Sequence, residues 1–60
     1  MTPFKFNLGQ KVEDRVTHYH GKITARAEYL HGPNTYLVEG VDTTGRPIEV
    51  WVAEDRLERN

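Results

Sequence analysis

The stretch that decides the fold runs from residue 35 to residue 52 and has the sequence TYLVEGVDTTGRPIEVWV. Apolar and polar residues alternate on both sides of the DTTGR segment, and a period of two is typical of strands with one buried face. The DTTGR segment has the composition of a tight turn, in which Gly45 is the expected positive-φ residue. Pro47 is acceptable at the first position of a strand. The stretch therefore predicts two strands joined by a turn.

The same alternation predicts which side chains of the second strand share a face. Ile48, Val50 and Val52 are expected on the inner face, and Glu49 and Trp51 on the outer face. A tryptophan that is exposed beside a carboxylate on a rigid strand usually marks a contact surface, because it combines a large apolar area with a single hydrogen-bond donor. In the first strand, the alternation places Tyr36 and Val38 on one face and Leu37 and Glu39 on the other.

The residues that precede this pair of strands predict further strands. Val12 and Val16 indicate a short strand that runs into a turn, and residues 17–21 have the composition of a loop. From Lys22 to Leu30 the period is again two, and the flanking Gly21 and HGPN segment favour a strand over a helix. One face of that strand is predicted to carry Ile23, Ala25, Ala27 and Tyr29.

Residues 1–9 are predicted to form an N-terminal arm, and residues 10–60 a barrel domain. The arm is expected to pack on the domain, since Phe4 and Phe6 alternate with polar neighbours. An alternative for Trp51 follows from this packing, namely that Phe4 or Phe6 covers it.

Four or five short antiparallel strands with no room for a helix predict an all-β fold, a small SH3-like barrel. The chain has 60 residues and no cysteine, so it is one small domain without a disulfide framework or a zinc ribbon. Domains of this size usually need additional stabilisation, and a second copy of the chain is its simplest source. We therefore expect a homo-oligomer, either a dimer or a tetramer, and a different protein is the second candidate partner.

The charge balance argues against several classes of partner. The net charge of −1 lacks the excess of positive charge that is typical of proteins that bind nucleic acid or a membrane surface. Five bases oppose three acids in residues 1–30, whereas three bases oppose six acids in residues 31–60, an imbalance that is usually solvated surface charge and for which head-to-tail association is the alternative. No apolar run approaches the length of a membrane span, and no signal segment is present at the start. The sequence predicts a cytoplasmic protein.

Few residues suggest catalytic chemistry. His18 and His20 form a spacing that a metal could use, but no third ligand is evident, so no metal site is predicted. Cysteine and serine are both absent, which removes the usual nucleophiles, and no glycine-rich phosphate loop is present. The carboxylate pairs at residues 13–14 and 54–55 are predicted to be solvated surface charge. No cofactor is expected on these grounds.

From Phe6 to Asn60 the sequence resembles the type B, plasmid-encoded dihydrofolate reductases, which are small SH3-like barrels that act as tetramers around a central pore. Ile48-Glu49-Val50-Trp51 stands where that family has its pore-lining motif Val-Gln-Ile-Tyr. The other matching elements are Phe6-x-x-Gly9-x-x-Val12, Gly21-Lys22-Ile23, Tyr36-x-Val38-Glu39 and Leu57-Glu58-Arg59-Asn60. Residues 23–30 and 54–58 also look like small uncharacterised phage and mobile-element proteins.

The resemblance implies NADPH as cofactor and a pore in which Glu49, Val50 and Trp51 are the catalytic candidates. Trp51 would keep the aromatic role and Val50 the backbone role, with Arg15 as a further cofactor-binding residue. Glu49 departs from the family's glutamine and would place four carboxylates around a pore meant for two anionic ligands. The family's pore lysine aligns with Asp14, although a one-residue register change would bring Arg15 to that position.

Three functions follow from this sequence. The first is a non-enzymatic, self-associating SH3-like interaction module of phage or mobile-element type, whose contact surface is formed by Glu49, Trp51, Tyr36 and Tyr19. The second is a type B reductase that transfers hydride from NADPH to dihydrofolate in a tetramer pore. The third is a reader of nucleic acid or methylated side chains through an aromatic cage of Tyr19, Tyr36 and Trp51.

Overall fold

A computed structural model of the chain describes residues 4–60. It contains five strands and one 3₁₀ turn and no α-helix in this range. The strands pair only with antiparallel neighbours, in the order β4-β3-β2-β1-β5. The elements are β1 (Lys11–Asp14), β2 (His20–Ala27), β3 (Thr35–Val41), β4 (Pro47–Ala53), the 3₁₀ turn (Glu54–Arg56) and β5 (Leu57–Arg59). The predicted all-β class, with four or five antiparallel strands, is confirmed.

The core lies on the inner face of this one sheet. Val52 of β4 and Leu57 of β5 belong to the same buried cluster, although β4 and β5 form opposite edges of the sheet. Two edges can share a core only if the sheet curls around it, which gives the molecule its barrel-like shape. The buried cluster consists of Phe6, Val12, Ile23, Tyr36, Val38, Val52 and Leu57.

The turn between β3 and β4 forms as predicted. Gly45 has a φ of 87°, a left-handed conformation that favours glycine. The Asp42 carboxylate accepts hydrogen bonds from the Thr44 hydroxyl at 2.6 Å and from the backbone N–H of Arg46 at 3.0 Å. These bonds lower the pKa of Asp42 below its ordinary value. The turn sets the register of β3 against β4 without a bulge, from Val41 opposite Pro47 to Thr35 opposite Ala53.

Strand β2 differs from the prediction in its ends and in one face. It starts at His20 rather than Lys22 and ends at Ala27, so the predicted residues up to Leu30 lie in the following loop. A register shift between Ile23 and Ala25 marks a bulge, after which Ala25 pairs with Leu37. A one-residue bulge reverses the alternation of faces. The prediction that Ala25 and Ala27 share the face of Ile23 is therefore wrong.

The bulge brings Arg26 to the side of the sheet on which the N-terminal residues pack. Arg26 pairs with the buried Tyr36, donates a hydrogen bond to the carbonyl of Phe6 at 3.0 Å and lies 4.4 Å from the Phe4 ring centroid. The rings of Phe4 and Phe6 pack edge-on against Tyr36, at centroid distances of 6.0 and 5.5 Å. Phe6 is 1 % exposed. Residues 1–3 of the predicted arm lie outside the described residues.

Strands β2 and β3 approach each other closely at one end of their ladder. A Cβ atom on Gly21 would lie 2.1 Å from the carbonyl oxygen of Glu39, and one on Gly40 would lie 2.3 Å from that of His20. Only glycine permits this backbone approach. Within residues 4–60, no helix has the length and apolar character required to cross a membrane.

Candidate interaction surface

The outer face of the sheet carries a line of apolar side chains across three strands. Ala25 of β2 pairs with Leu37 of β3, which in turn pairs with Trp51 of β4. Paired residues project from the same side of a sheet. Trp51 is 54 % exposed, whereas Ala25 and Leu37 are half-buried. We call these three residues the apolar row.

A second line of side chains runs beside the apolar row across four strands. Lys11 pairs with Lys22, Lys22 with Glu39, and Glu39 with Glu49. All four side chains are exposed. In β1, β2 and β3 the neighbouring residue on the opposite face is buried, namely Val12, Ile23 and Val38. We call these four residues the charged row. The predicted outward positions of Glu49 and Trp51 are thus part of a larger outer surface.

The inner face of β4 is buried only at one end. Val52 is 3 % exposed and Ile48 is half-buried, but Val50 is 40 % exposed. β4 is an edge strand with a neighbour on one side only, which leaves its unpaired side open to solvent. The predicted phase of β4 is correct, and the burial along it is uneven for this reason.

Trp51 is not covered by Phe4 or Phe6. Phe4 and Phe6 lie against Tyr36, which faces the core, whereas Trp51 lies on the outer face. The alternative in which Phe4 or Phe6 covers Trp51 is wrong, because Arg26 and Tyr36 hold both rings at another place.

Tyr36 is not part of any surface. It is fully buried, its hydroxyl donates to the Glu54 carboxylate, and it accepts hydrogen bonds from the backbone N–H of Lys5 at 3.0 Å and of Phe6 at 3.3 Å. Burial and the bond to Glu54 raise the pKa of Tyr36. The bond from Tyr36 lowers the pKa of Glu54 below its ordinary value. The predicted place of Tyr36 in a contact surface is corrected accordingly.

Tyr19 supports the sheet from its partly buried position against the core. Its hydroxyl donates to the carbonyl of Ile48 at 2.9 Å and lies 3.1 Å from that of Val38. Burial raises the pKa of Tyr19, and the negative charges of Glu39 and Glu49 act in the same direction. Since Tyr36 faces the core and Trp51 faces outwards, these two cannot line one cage with Tyr19, and the predicted aromatic cage is absent.

Two carboxylates that were predicted to be surface charge are structural. Asp14 is 3 % exposed and accepts hydrogen bonds from the N–H groups of Val16 at 2.8 Å and Thr17 at 3.3 Å, and from Arg56 at 2.6 Å. Burial alone would raise the pKa of Asp14, but these donors and the charge of Arg56 outweigh it and lower the pKa below 3.8. Glu54 is the second, since it anchors Tyr36.

The remaining predicted residues lie apart from the outer face. Arg15 donates through its side chain to the carbonyl of Asp55 at 3.3 Å and through its backbone to Arg56 at 2.7 Å, and it makes no hydrogen bond to Val50 or Trp51. His18 lies 2.9 Å from the Glu13 carboxylate. Among the residues that the structure describes, no group of three or more His, Cys, Asp or Glu side chains is placed to hold a metal ion.

A pocket of about 580 Å³ lies beside the loop between β2 and β3, and sequence reasoning did not find it. The sequence predicts a strand end, a loop and a tight turn for its residues, and nothing in their pattern indicates a concave surface. The lining residues are Glu28, Tyr29, Leu30, Gly32, Pro33, Asn34 and Glu54.

The fold and this surface define a class: a small all-β domain with an exposed tryptophan on the outer face of its sheet. Comparison of the chain with family models, with curated proteins and with solved structures found no significant match.

Proposed function

We propose that this protein is a non-enzymatic interaction module, of phage or mobile-element type, that self-associates through the outer face of β3 and β4. The observation that carries the proposal is the apolar row, in which the 54 % exposed Trp51 stands beside Leu37. Contiguous exposed apolar area on a small domain is typical of a protein-protein contact. Tryptophan is among the residues that contribute most to binding energy when a partner covers it.

The ionisable groups with shifted pKa values all have structural roles. A catalytic acid or base usually has a perturbed pKa, but structural hydrogen bonds perturb pKa values as well. Every described group with a shifted pKa is held in a structural contact, whether in a turn, against the backbone of the sheet or in a buried pair. These groups are Asp14, Tyr19, Tyr36, Asp42 and Glu54.

Replacing Trp51 with alanine tests the proposal. We expect the self-association constant to fall at least about thirtyfold, the loss typical of a tryptophan at the centre of an interface, while the fold persists. Sedimentation velocity over a concentration series measures the association, and circular dichroism checks the fold.

Leu30→Ala is the matched control, because Leu30 is a 92 % exposed apolar residue in the loop that follows β2. It should leave self-association unchanged. Equal association by Trp51→Ala and the unmodified chain would contradict the proposal.

A reductase is the second candidate, and one observation favours it. In Ile48-Glu49-Val50-Trp51 the alternate residues Glu49 and Trp51 are both exposed on the outer face, the orientation that a pore-lining role requires. Under this hypothesis Glu49→Gln should raise turnover of dihydrofolate with NADPH, because it removes a carboxylate from a site for anionic ligands. NADPH absorbance assays, with growth on trimethoprim as a second readout, measure it. Absence of turnover in both proteins would exclude the reductase.

A further inference from the structure

The charged row has an order of charges that the isolated chain satisfies only at its middle, where Lys22 is opposite Glu39. Across β1 to β4 the order is Lys11, Lys22, Glu39, Glu49, two positive charges followed by two negative ones. Lys11 therefore faces Lys22, and Glu39 faces Glu49, and like charges that are directly opposite each other destabilise a sheet. Within residues 4–60, none of the four forms an ion pair.

A second copy of this chain carries the matching order. We propose that the charged row is the recognition element of a two-fold dimer, in which the outer faces of two copies pack together; this inference rests on the proposed self-association. The two-fold axis runs parallel to the strands, between β2 and β3. Rotation about it reverses the row, so that beside the axis Lys22 of one protomer meets the partner's Glu39, and further from the axis Lys11 lies on the same side as the partner's Glu49.

The order of charges selects this axis over the other one that would bring the two faces together. An axis parallel to the row would place each side chain of the row over its own copy, so that Lys22 would meet the partner's Lys22 and Glu39 the partner's Glu39. Like charges across an interface suppress that arrangement. The row thus gives a two-fold, self-complementary contact of the kind that closes a dimer.

The same axis also places the apolar row against apolar partners. It brings Leu37 over the partner's Ala25, at the spacing of about 10 Å at which sheets pack face to face. Trp51 then lies over the partner's Leu8 and Gly9, in the segment that runs alongside the partner's β2. The backbone bond from Gly9 to Ile23, at 2.8 Å, holds that segment there, and Leu8 is 57 % exposed. One arrangement therefore matches both rows.

The positive end of the charged row borders a shallow depression that suits a carboxylate. Its volume is about 330 Å³, and its walls include Lys11, His20 and Lys22. In the proposed dimer, the partner's Glu39 and Glu49 lie on the side of this depression. Charge pairs of this kind at a solvent-exposed rim set specificity and orientation more than affinity, which here comes from the apolar row.

The experiment uses two charge inversions, Lys22→Glu and Glu39→Lys, and their mixture. Each variant alone should associate at least about tenfold more weakly than the unmodified chain, because the two-fold axis creates two repulsive contacts per dimer. An equimolar mixture should associate within about threefold of the unmodified chain, since every contact of the mixed dimer is again attractive. The double variant, with both inversions in one chain, should also associate, and it shows that the new residues are compatible with the fold.

Arg46→Glu and Glu28→Lys are the matched controls, since each makes the same change of charge at an exposed position outside the row. Sedimentation at low and high salt measures all species, and the differences should shrink at high salt. If the unmodified chain associates and the single inversions associate equally well, the proposed role of the charged row in dimer recognition is wrong and the proposed function stands. If the unmodified chain stays monomeric at every concentration, both are overturned.

Discussion

Replacing Asp14 with alanine is expected to destabilise the fold by about 2 to 3 kcal/mol, the cost of leaving partly buried backbone donors without an acceptor, because the ion pair with the 46 % exposed Arg56 side chain is screened by solvent and adds little. The change deletes the acceptor for two backbone N–H groups of the β1–β2 turn and leaves Arg56 without its partner. A domain of this length has roughly 3 to 9 kcal/mol of stability in total. We therefore expect Asp14→Ala to lose a large part of this stability, which a lower midpoint in urea titration followed by circular dichroism would show.

Asp55→Ala is the control for this prediction, because Asp55 is an exposed carboxylate in the 3₁₀ turn next to Arg56. It should change the free energy of unfolding by less than about 0.5 kcal/mol. A loss of less than about 1 kcal/mol in Asp14→Ala would mean that the Asp14 contacts do not hold the turn.

The same carboxylate makes stability depend on pH in a defined direction. The pKa of Asp14 is lower in the folded chain than its ordinary value of 3.8, so the unfolded chain binds the proton more tightly. The contribution of Asp14 is therefore fully present above that value and is lost as the pH falls through the folded pKa. In Asp14→Asn, this part of the acid dependence should be missing.

Replacing Phe6 with alanine is expected to cost about 3 to 5 kcal/mol, the range for truncating a buried phenylalanine. Phe6 is 1 % exposed and packs against Tyr36, so the cavity left behind would lie in the middle of the core. Thermal and urea unfolding, at one fixed protein concentration because self-association adds stability, measure the loss.

Val16→Ala is the comparison for Phe6→Ala, because Val16 is an apolar residue that is 69 % exposed. It should change stability by less than about 0.5 kcal/mol. Near-native stability of Phe6→Ala would contradict the placement of Phe6 in the core and would favour an arm that is independent of the barrel.

The β3–β4 hairpin was predictable because its signals are local. The turn around Gly45 and the alternation on both sides of it fix the register, so the pairing of Glu39 with Glu49 and of Leu37 with Trp51 follows by counting outwards from the turn. Extending this count to Lys22 requires the pairing of β2 with β3, which no comparable turn signal fixes. The charged row was missed for that reason.

The remaining errors come from contacts between residues distant in sequence. Asp14 meets Arg56, and Tyr36 meets Glu54 and the backbone of Phe6, and no pattern within one segment reveals such pairs. These contacts convert two carboxylates from surface charge to structural groups. The bulge after Ile23 likewise carries no composition signal, although it decides that Arg26 rather than Ala25 lies on the side of Tyr36.

Sedimentation of the unmodified chain over a wide concentration range tests self-association through the outer face most directly. The chain has a mass of 7.0 kDa, and we expect the measured mass to rise with concentration to at least twice that value. Trp51 fluorescence should shift to shorter wavelength over the same range, because association removes the only tryptophan in the sequence from water. A constant mass of one chain with unchanged fluorescence would contradict the account.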